Sequence, residues 1–312
     1  MLKALAAVLA GAVLLVSAAS GAPSSQVIAV IFSGQTTPDY LALYRPGDAH
    51  IDLLAPAHDG SKLADDFALT WAPDGASIAY ACNTRGIVDE RHSAICIVDV
   101  KTGSKRTVPT PASLHVVPVA WGPHGKILSG CRTKRRLEDA ADICLVDVTS
   151  GAVTFITRTT GGYIFDGAAW SPDGRTVAFT CRTEKEQDRR FCFIGQDGKL
   201  LVQARSWNSV DLEGWTPDSK RIVWWGRFSG KQPLTYHEQN VDGTGLRPLP
   251  PTAVVLGPGY TADGRNRVQS DGFEVTEQPV AGGPRTTLAA KGVFAGLIWQ
   301  IALRPASSHR VI

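Results

Sequence analysis

The chain has 312 residues, enough for one large domain or two ordinary ones, so length leaves the architecture to internal pattern. Its formal charge of +3 falls close to neutral once a leader carrying Lys3 is set aside, which excludes the basic footprint of a nucleic-acid binder. Beyond the leader no apolar run approaches the roughly 20 residues of a membrane-crossing helix, so the mature chain is expected to hold no span; nothing in the sequence bears on its oligomeric state.

Met1-Leu-Lys3 is followed by an Ala-rich apolar run over 4–16 and then by Ser17-Ala-Ala-Ser-Gly-Ala22. A positive start, a short apolar core and small residues at its end form the layout of a secretory signal, with cleavage after Ala19 or Ala22. Residues 1–22 are therefore expected to be a signal peptide and 23–312 a single mature domain, periplasmic or secreted. No cysteine lies near the leader, so lipoprotein processing is not indicated.

Strand patterns begin at once, over 23–32, 40–44 and 51–54, and a repeat then takes over. Trp71-Ala-Pro-Asp-Gly75, Trp121-Gly-Pro-His-Gly125, Trp170-Ser-Pro-Asp-Gly174 and Trp215-Thr-Pro-Asp-Ser219 each close one apolar run and open another. A weaker copy reads Tyr260-Thr-Ala-Asp-Gly264, and the aromatic positions are spaced by 50, 49, 45 and 45 residues. A degenerate copy, Leu303-Arg-Pro-Ala-Ser307, follows 43 residues later. Pro fixes φ at the turn entry, Asp bonds the backbone ahead of it, and Gly accepts the positive φ of a tight hairpin. After each turn come a β-rich run such as Thr176-Val-Ala-Phe-Thr180, a polar loop, a third strand ending in a turn (Ile95 to Gly103, Ile143 to Gly151), and a short fourth strand.

Four antiparallel strands per period of about 45 residues make a propeller blade. The first three strand patterns lack an inner strand, and Gly296-Leu-Ile-Trp-Gln-Ile-Ala-Leu303 stands where one belongs. The predicted fold is thus an all-β, six-bladed β-propeller of four-stranded blades, closed by the C-terminal strand completing the N-terminal blade. Two stacked β-sandwiches would need no turn recurring in phase.

The Trp-x-Pro-Asp-Gly turn, the strand after it and the Val-Asp-x-x-x-Gly turn resemble the TolB-like, WD-like propeller repeat over nearly all of the mature chain. The resemblance implies blades that serve in partner-binding proteins of the Tol system, in propellers attached to peptidases and in some sugar-processing enzymes. It points to fold more than to activity. Unlike TolB itself, the chain is expected to have no domain before its blades.

The six cysteines follow the repeat. In blades two, three and four one ends the second strand and one begins the third, so that of 15 connectivities the repeat selects Cys82 with Cys96, Cys131 with Cys144 and Cys181 with Cys192. Each pair is expected to face across the ladder at about 4.5–5.5 Å between Cα atoms, within bridging range. They enclose loops of 13, 12 and 10 residues. An even set so placed fits an oxidising compartment. A zinc or redox site fits less well, because no Cys-x-x-Cys occurs.

Those loops, with 226–231 as a fourth, are densely charged. Their arginines, Arg85, Arg91, Arg132, Arg135, Arg136, Arg182 and Arg227, are the candidate binding residues, suited to carboxylates and phosphates on a protein or envelope component. Arg132, Arg182 and Arg227 are read as equivalent positions just after the second strand. Singly they are ordinary solvated side chains; repeated, they ring one mouth of the channel.

No Gly-x-Ser-x-Gly elbow, His-Glu-x-x-His, phosphate loop or EF-hand loop occurs, so no catalytic residue, metal ligand or cofactor is assigned. The second reading, a secreted metal-dependent lyase or hydrolase acting on polysaccharide, rests on His58, His92 and His115, placed on the same face in neighbouring blades but more often plain exposed loop residues. The repeat tryptophans are expected to pack between blades; Trp207 and Trp224 fall outside the repeat.

Overall fold

The structure, a computed structural model, describes residues 26–305 apart from 35–38, 49–50, 57–68, 84–92, 134–141, 157–162, 184–188, 196–198, 208, 228–232, 251–258, 262, 292 and 295. The expected signal segment, 1–22, lies outside the described residues. Antiparallel sheets follow one another around a ring. Blade 2 is Leu69–Trp71, Ser77–Asn83, Ser93–Asp99 and Lys105–Thr107; blade 3 is Leu114–Trp121, Lys126–Thr133, Asp142–Asp147 and Val153–Phe155. Blade 4 is Tyr163–Trp170, Thr176–Thr183, Arg189–Gly195 and Leu200–Trp207; blade 5 is Ser209–Trp215, Arg221–Arg227, Thr235–Asn240 and Arg247–Pro248. Blade 6 shows three strands, Asn266–Ser270, Val275–Pro279 and Thr286–Ala289, with Tyr260 bridged to Arg267 at the inner position.

Blade 1 is assembled from both ends of the chain. Gly296–Leu303 pairs antiparallel with Ile28–Gly34, from Ile28 opposite Leu303 to Gly34 opposite Gly296, and Asp39–Tyr44 and Asp52–Pro56 complete the sheet. The Arg304 amide donates to the Val27 carbonyl at 3.0 Å and the Gln26 side chain donates to the Arg304 carbonyl at 2.8 Å. Ring closure thus rests on a strand ladder and not on an apolar contact alone. No helix among the described residues is long and apolar enough to cross a membrane.

The turns work as their residues dictate. The Asp74, Asp173, Asp218 and Asp263 carboxylates accept the amide two residues on, at 2.9–3.1 Å. Gly75, Gly174 and Gly264 follow with φ between 66° and 68°. In the fifth blade Ser219 takes φ 61°, and its hydroxyl accepts the Asp173 amide of blade 4 at 3.0 Å. The copy at 121–125 is one residue shorter: the Gly122 amide donates to the Lys126 carbonyl, where Ala72 reaches Ser77 and Ser171 reaches Thr176.

Strand alternation gives each blade two faces. Ile78 and Tyr80 pack on Ile31, Leu41 and Leu43 of blade 1, while Ala79, Ile95 and Ile97 pack on Ile127 and Val146 of blade 3. Burying one such side chain stabilises by about 1.5–3 kcal/mol. The repeat tryptophans tie blade to blade, as expected. The indole N–H of Trp71 donates to Ala302, that of Trp170 to Ala120 and that of Trp215 to Ala169, at 2.9–3.3 Å. Each acceptor is the residue before the aromatic position of the preceding repeat, which makes Leu303 the sixth copy. Trp207 and Trp224 find their place between blades 4 and 5, 4.6 Å apart at their centroids beside Phe191, with His237 stacked on Trp224 at 4.3 Å.

Candidate binding site at the loop end of the channel

In each blade the inner strand runs from the loop end of the channel to the turn end, so the residue paired with its first positions marks the loop end. Arg132 pairs with His115, Arg182 with Ile164 and Arg227 with Ser209. The three arginines therefore hold one register in three consecutive blades. They lie inside the second strand, at its end, and not just after it, because pairing to the inner strand continues up to them. Arg132 and Arg227 are half-buried. Arg85, Arg91, Arg135 and Arg136 lie outside the described residues.

The loops beyond these arginines are anchored by three disulfides, Cys82–Cys96, Cys131–Cys144 and Cys181–Cys192, with Cα separations of 5.7, 6.0 and 6.0 Å. The pairing is the expected one; the geometry differs. Cys82 faces Ala94 and Cys96 faces Tyr80; Cys131 faces Asp142 and Cys181 faces Arg190. The bonded cysteines are thus diagonal neighbours, offset by two residues. A two-residue offset keeps both on one face of the sheet, and strand twist shortens one diagonal enough for bridging. Each bridge faces the preceding blade: Cys131 and Cys144 lie among Ile95 and Ile97, and Cys181 and Cys192 among Leu128 and Ile143.

The histidine trio does not come together among the described residues. His58 and His92 lie outside them, and His115 is a strand residue, 2% exposed, not a loop residue in solvent. No group of three His, Cys, Asp or Glu side chains is arranged to hold a metal among the described residues.

Two polar arrangements escaped the sequence reading. At the loop end, the Arg189 guanidinium donates to the Val210 carbonyl at 3.2 Å and to the Asp211 carboxylate at 3.3 Å, joining blade 4 to blade 5. Between blades 5 and 6 the apolar packing seen elsewhere thins to Val223 and Tyr260, with Tyr236, Leu249 and Val280 partly buried beside them. Charge fills the seam. The Tyr260 hydroxyl donates to Glu213 at 2.8 Å, Arg267 lies 3.8 Å from the same carboxylate, and Arg267 also donates to the Tyr236 hydroxyl at 3.2 Å. Burial raises the Glu213 pKa above its ordinary 4.5, with Arg267 opposing. The signal was in register: Arg267 occupies the repeat position of Ile78, Val177 and Ile222, and Tyr260 that of the tryptophans.

Fold and register define a six-bladed β-propeller with TolB-like repeats. Over 91% of this chain and 68% of the other, the structure is similar to TolB from Acinetobacter baumannii, with a TM-score of 0.64 and 19% identity. It is also similar to a putative TolB from Agrobacterium tumefaciens, over 90% of this chain and 100% of that one, with a TM-score of 0.52 and 15% identity. An oligogalacturonate lyase in complex with manganese matches over 85% of this chain and 75% of its own, with a TM-score of 0.50 and 11% identity. At such identities the likeness is one of fold. No protein-family model matches the sequence, and no curated protein matches it.

Proposed function

We propose that the chain is an exported, non-enzymatic propeller scaffold that binds an acidic protein or envelope component through the loop end of its channel. The observation that carries this reading is the shared register of Arg132, Arg182 and Arg227 in blades 3, 4 and 5. Arginines at equivalent strand positions on a rigid ring suit the recognition of carboxylates. Disulfide anchoring lowers the ordering cost of the loops above them. The same end carries Phe273, 49% exposed, with Lys291 5.2 Å above its ring, and exposed apolar and cationic groups together suit a protein partner. Three disulfides support an oxidising compartment, in line with the signal layout at the amino terminus.

The test is cross-linking and recovery of the tagged mature protein from its native envelope, beside a variant carrying Arg132→Glu, Arg182→Glu and Arg227→Glu whose fold is verified by circular dichroism. A partner captured by the wild type and lost by the variant supports the reading. Equal capture by both, or none by either, overturns it and turns attention to glycans.

A further inference from the structure

At the other end of the channel, about 20 Å along the inner strands from the arginine register, the turns enclose a cavity of about 720 Å³. Volumes of this order, with mostly apolar walls and few polar groups, are those of small-molecule sites. The walls include Trp71, Trp121, Trp170, Val119 and Ala168, and the rim includes Arg304. Trp170 is held flat against the backbone of Gly122: a Cβ there would fall 2.0 Å from the ring, so the shortened turn needs glycine for this contact.

Polar groups on the walls are unequally committed. Asp173 is consumed within its turn, accepting the Ser171 hydroxyl at 2.6 Å and the Arg175 amide at 3.0 Å. Arg304 is different. Its backbone is fixed on both sides, by Val27 and by Gln26, and its guanidinium carbon stands 5.8 Å from the Trp71 ring centroid. Among the described residues no carboxylate pairs with it. A guanidinium laid over an indole keeps its N–H edge for an anion, and that edge prefers a planar carboxylate.

We propose that this cavity is a binding site for an amphiphilic monocarboxylate, its apolar or aromatic body among Trp71, Trp121 and Trp170 and its carboxylate on Arg304. The site is separate from the loop-end face and does not depend on it.

The probe is 1-pyrenebutyrate, titrated into the oxidised protein and read by energy transfer from tryptophan to pyrene, with the alcohol 1-pyrenebutanol as the uncharged control. Saturable one-to-one binding of the acid is expected, tighter than the alcohol by at least about tenfold, the lower end of what one charge-assisted hydrogen bond contributes. Arg304→Gln, an exposed position, should abolish that preference and leave binding of the alcohol unchanged. Val119→Phe, which narrows the cavity at its wall, should weaken both. Absence of saturable binding, equal affinity for acid and alcohol, or a preference that survives Arg304→Gln would overturn the assignment.

Discussion

Glu213 is the residue at which the repeat changes its chemistry. The inner-strand residue two places before the aromatic position is Leu69, Val119 or Ala168 in blades 2 to 4 and Glu213 in blade 5. Facing it, Tyr260 donates a hydroxyl to the carboxylate where tryptophans in other blades donate to a backbone carbonyl. Because burial raises its pKa, Glu213 holds its proton more tightly in the folded state than in the unfolded one. Its contribution is therefore fully present below the ordinary 4.5 and is lost as pH rises through the raised value. His237, whose pKa burial lowers beside Trp224, acts in the opposite sense as pH falls below 6.5. Glu213→Gln keeps His237 and an acceptor for Tyr260 but removes the titration. The urea midpoint of the wild type should decline from pH 5 to 7 relative to that of Glu213→Gln; parallel profiles would show that Glu213 titrates normally. The turn aspartates lie outside this window. Hydrogen bonds from Thr102 hold Asp99 below the usual carboxylate range, and those from Thr216 and Lys220 do the same for Asp218.

At the scale of the element, the bridged second and third strands of blades 2, 3 and 4 distinguish one half of the ring from the other. The bridges lie 11–14 residues apart in sequence. Cross-links over loops of that size restrict the unfolded chain by about 3 kcal/mol each. They also line the apolar interface with the preceding blade, so replacement by alanine removes little volume beyond the sulfurs. Cys131→Ala with Cys144→Ala should lower stability by about 3 kcal/mol in chemical denaturation while native tryptophan emission persists. A change under about 1 kcal/mol would mean that this bridge contributes little to folding. The pairing was legible because cysteines recur at the same two places in three consecutive periods. The diagonal offset was not, since loop length says nothing about the register of the ladder it closes.

For the whole molecule, stability is a property of closure. Each blade presents one face to each neighbour, and the first blade meets the second through Gly296–Leu303, where Trp71 donates to Ala302, as well as through Ile28–Gly34, where Ala29 packs with Ile78. Removing residues 296–312 would leave Ile28–Gly34 an unpaired inner edge carrying Ile28, Ala29 and Val30, all fully buried in the closed ring. Such a chain should elute as aggregate in size-exclusion chromatography and lose its near-ultraviolet circular dichroism; a monodisperse, native-like product would show that five blades and a partial sixth suffice. Much of this architecture could be read directly from the residues. A turn built from Pro, Asp and Gly is local chemistry, so its five strong or weak copies set the blade count and the missing inner strand, and the cysteines at two fixed phases of the repeat set their own pairing. What the sequence could not decide is what depends on neighbours distant along the chain. The pairing that carries Arg132, Arg182 and Arg227 into the ladder itself, the approach of Arg267 to the buried Glu213 across the blade interface, and the cavity at the turn end all arise from inner strands about 45 residues apart being brought side by side. Those contacts depend on ladder offset and sheet twist, and neither leaves a mark in the local run of amino acids.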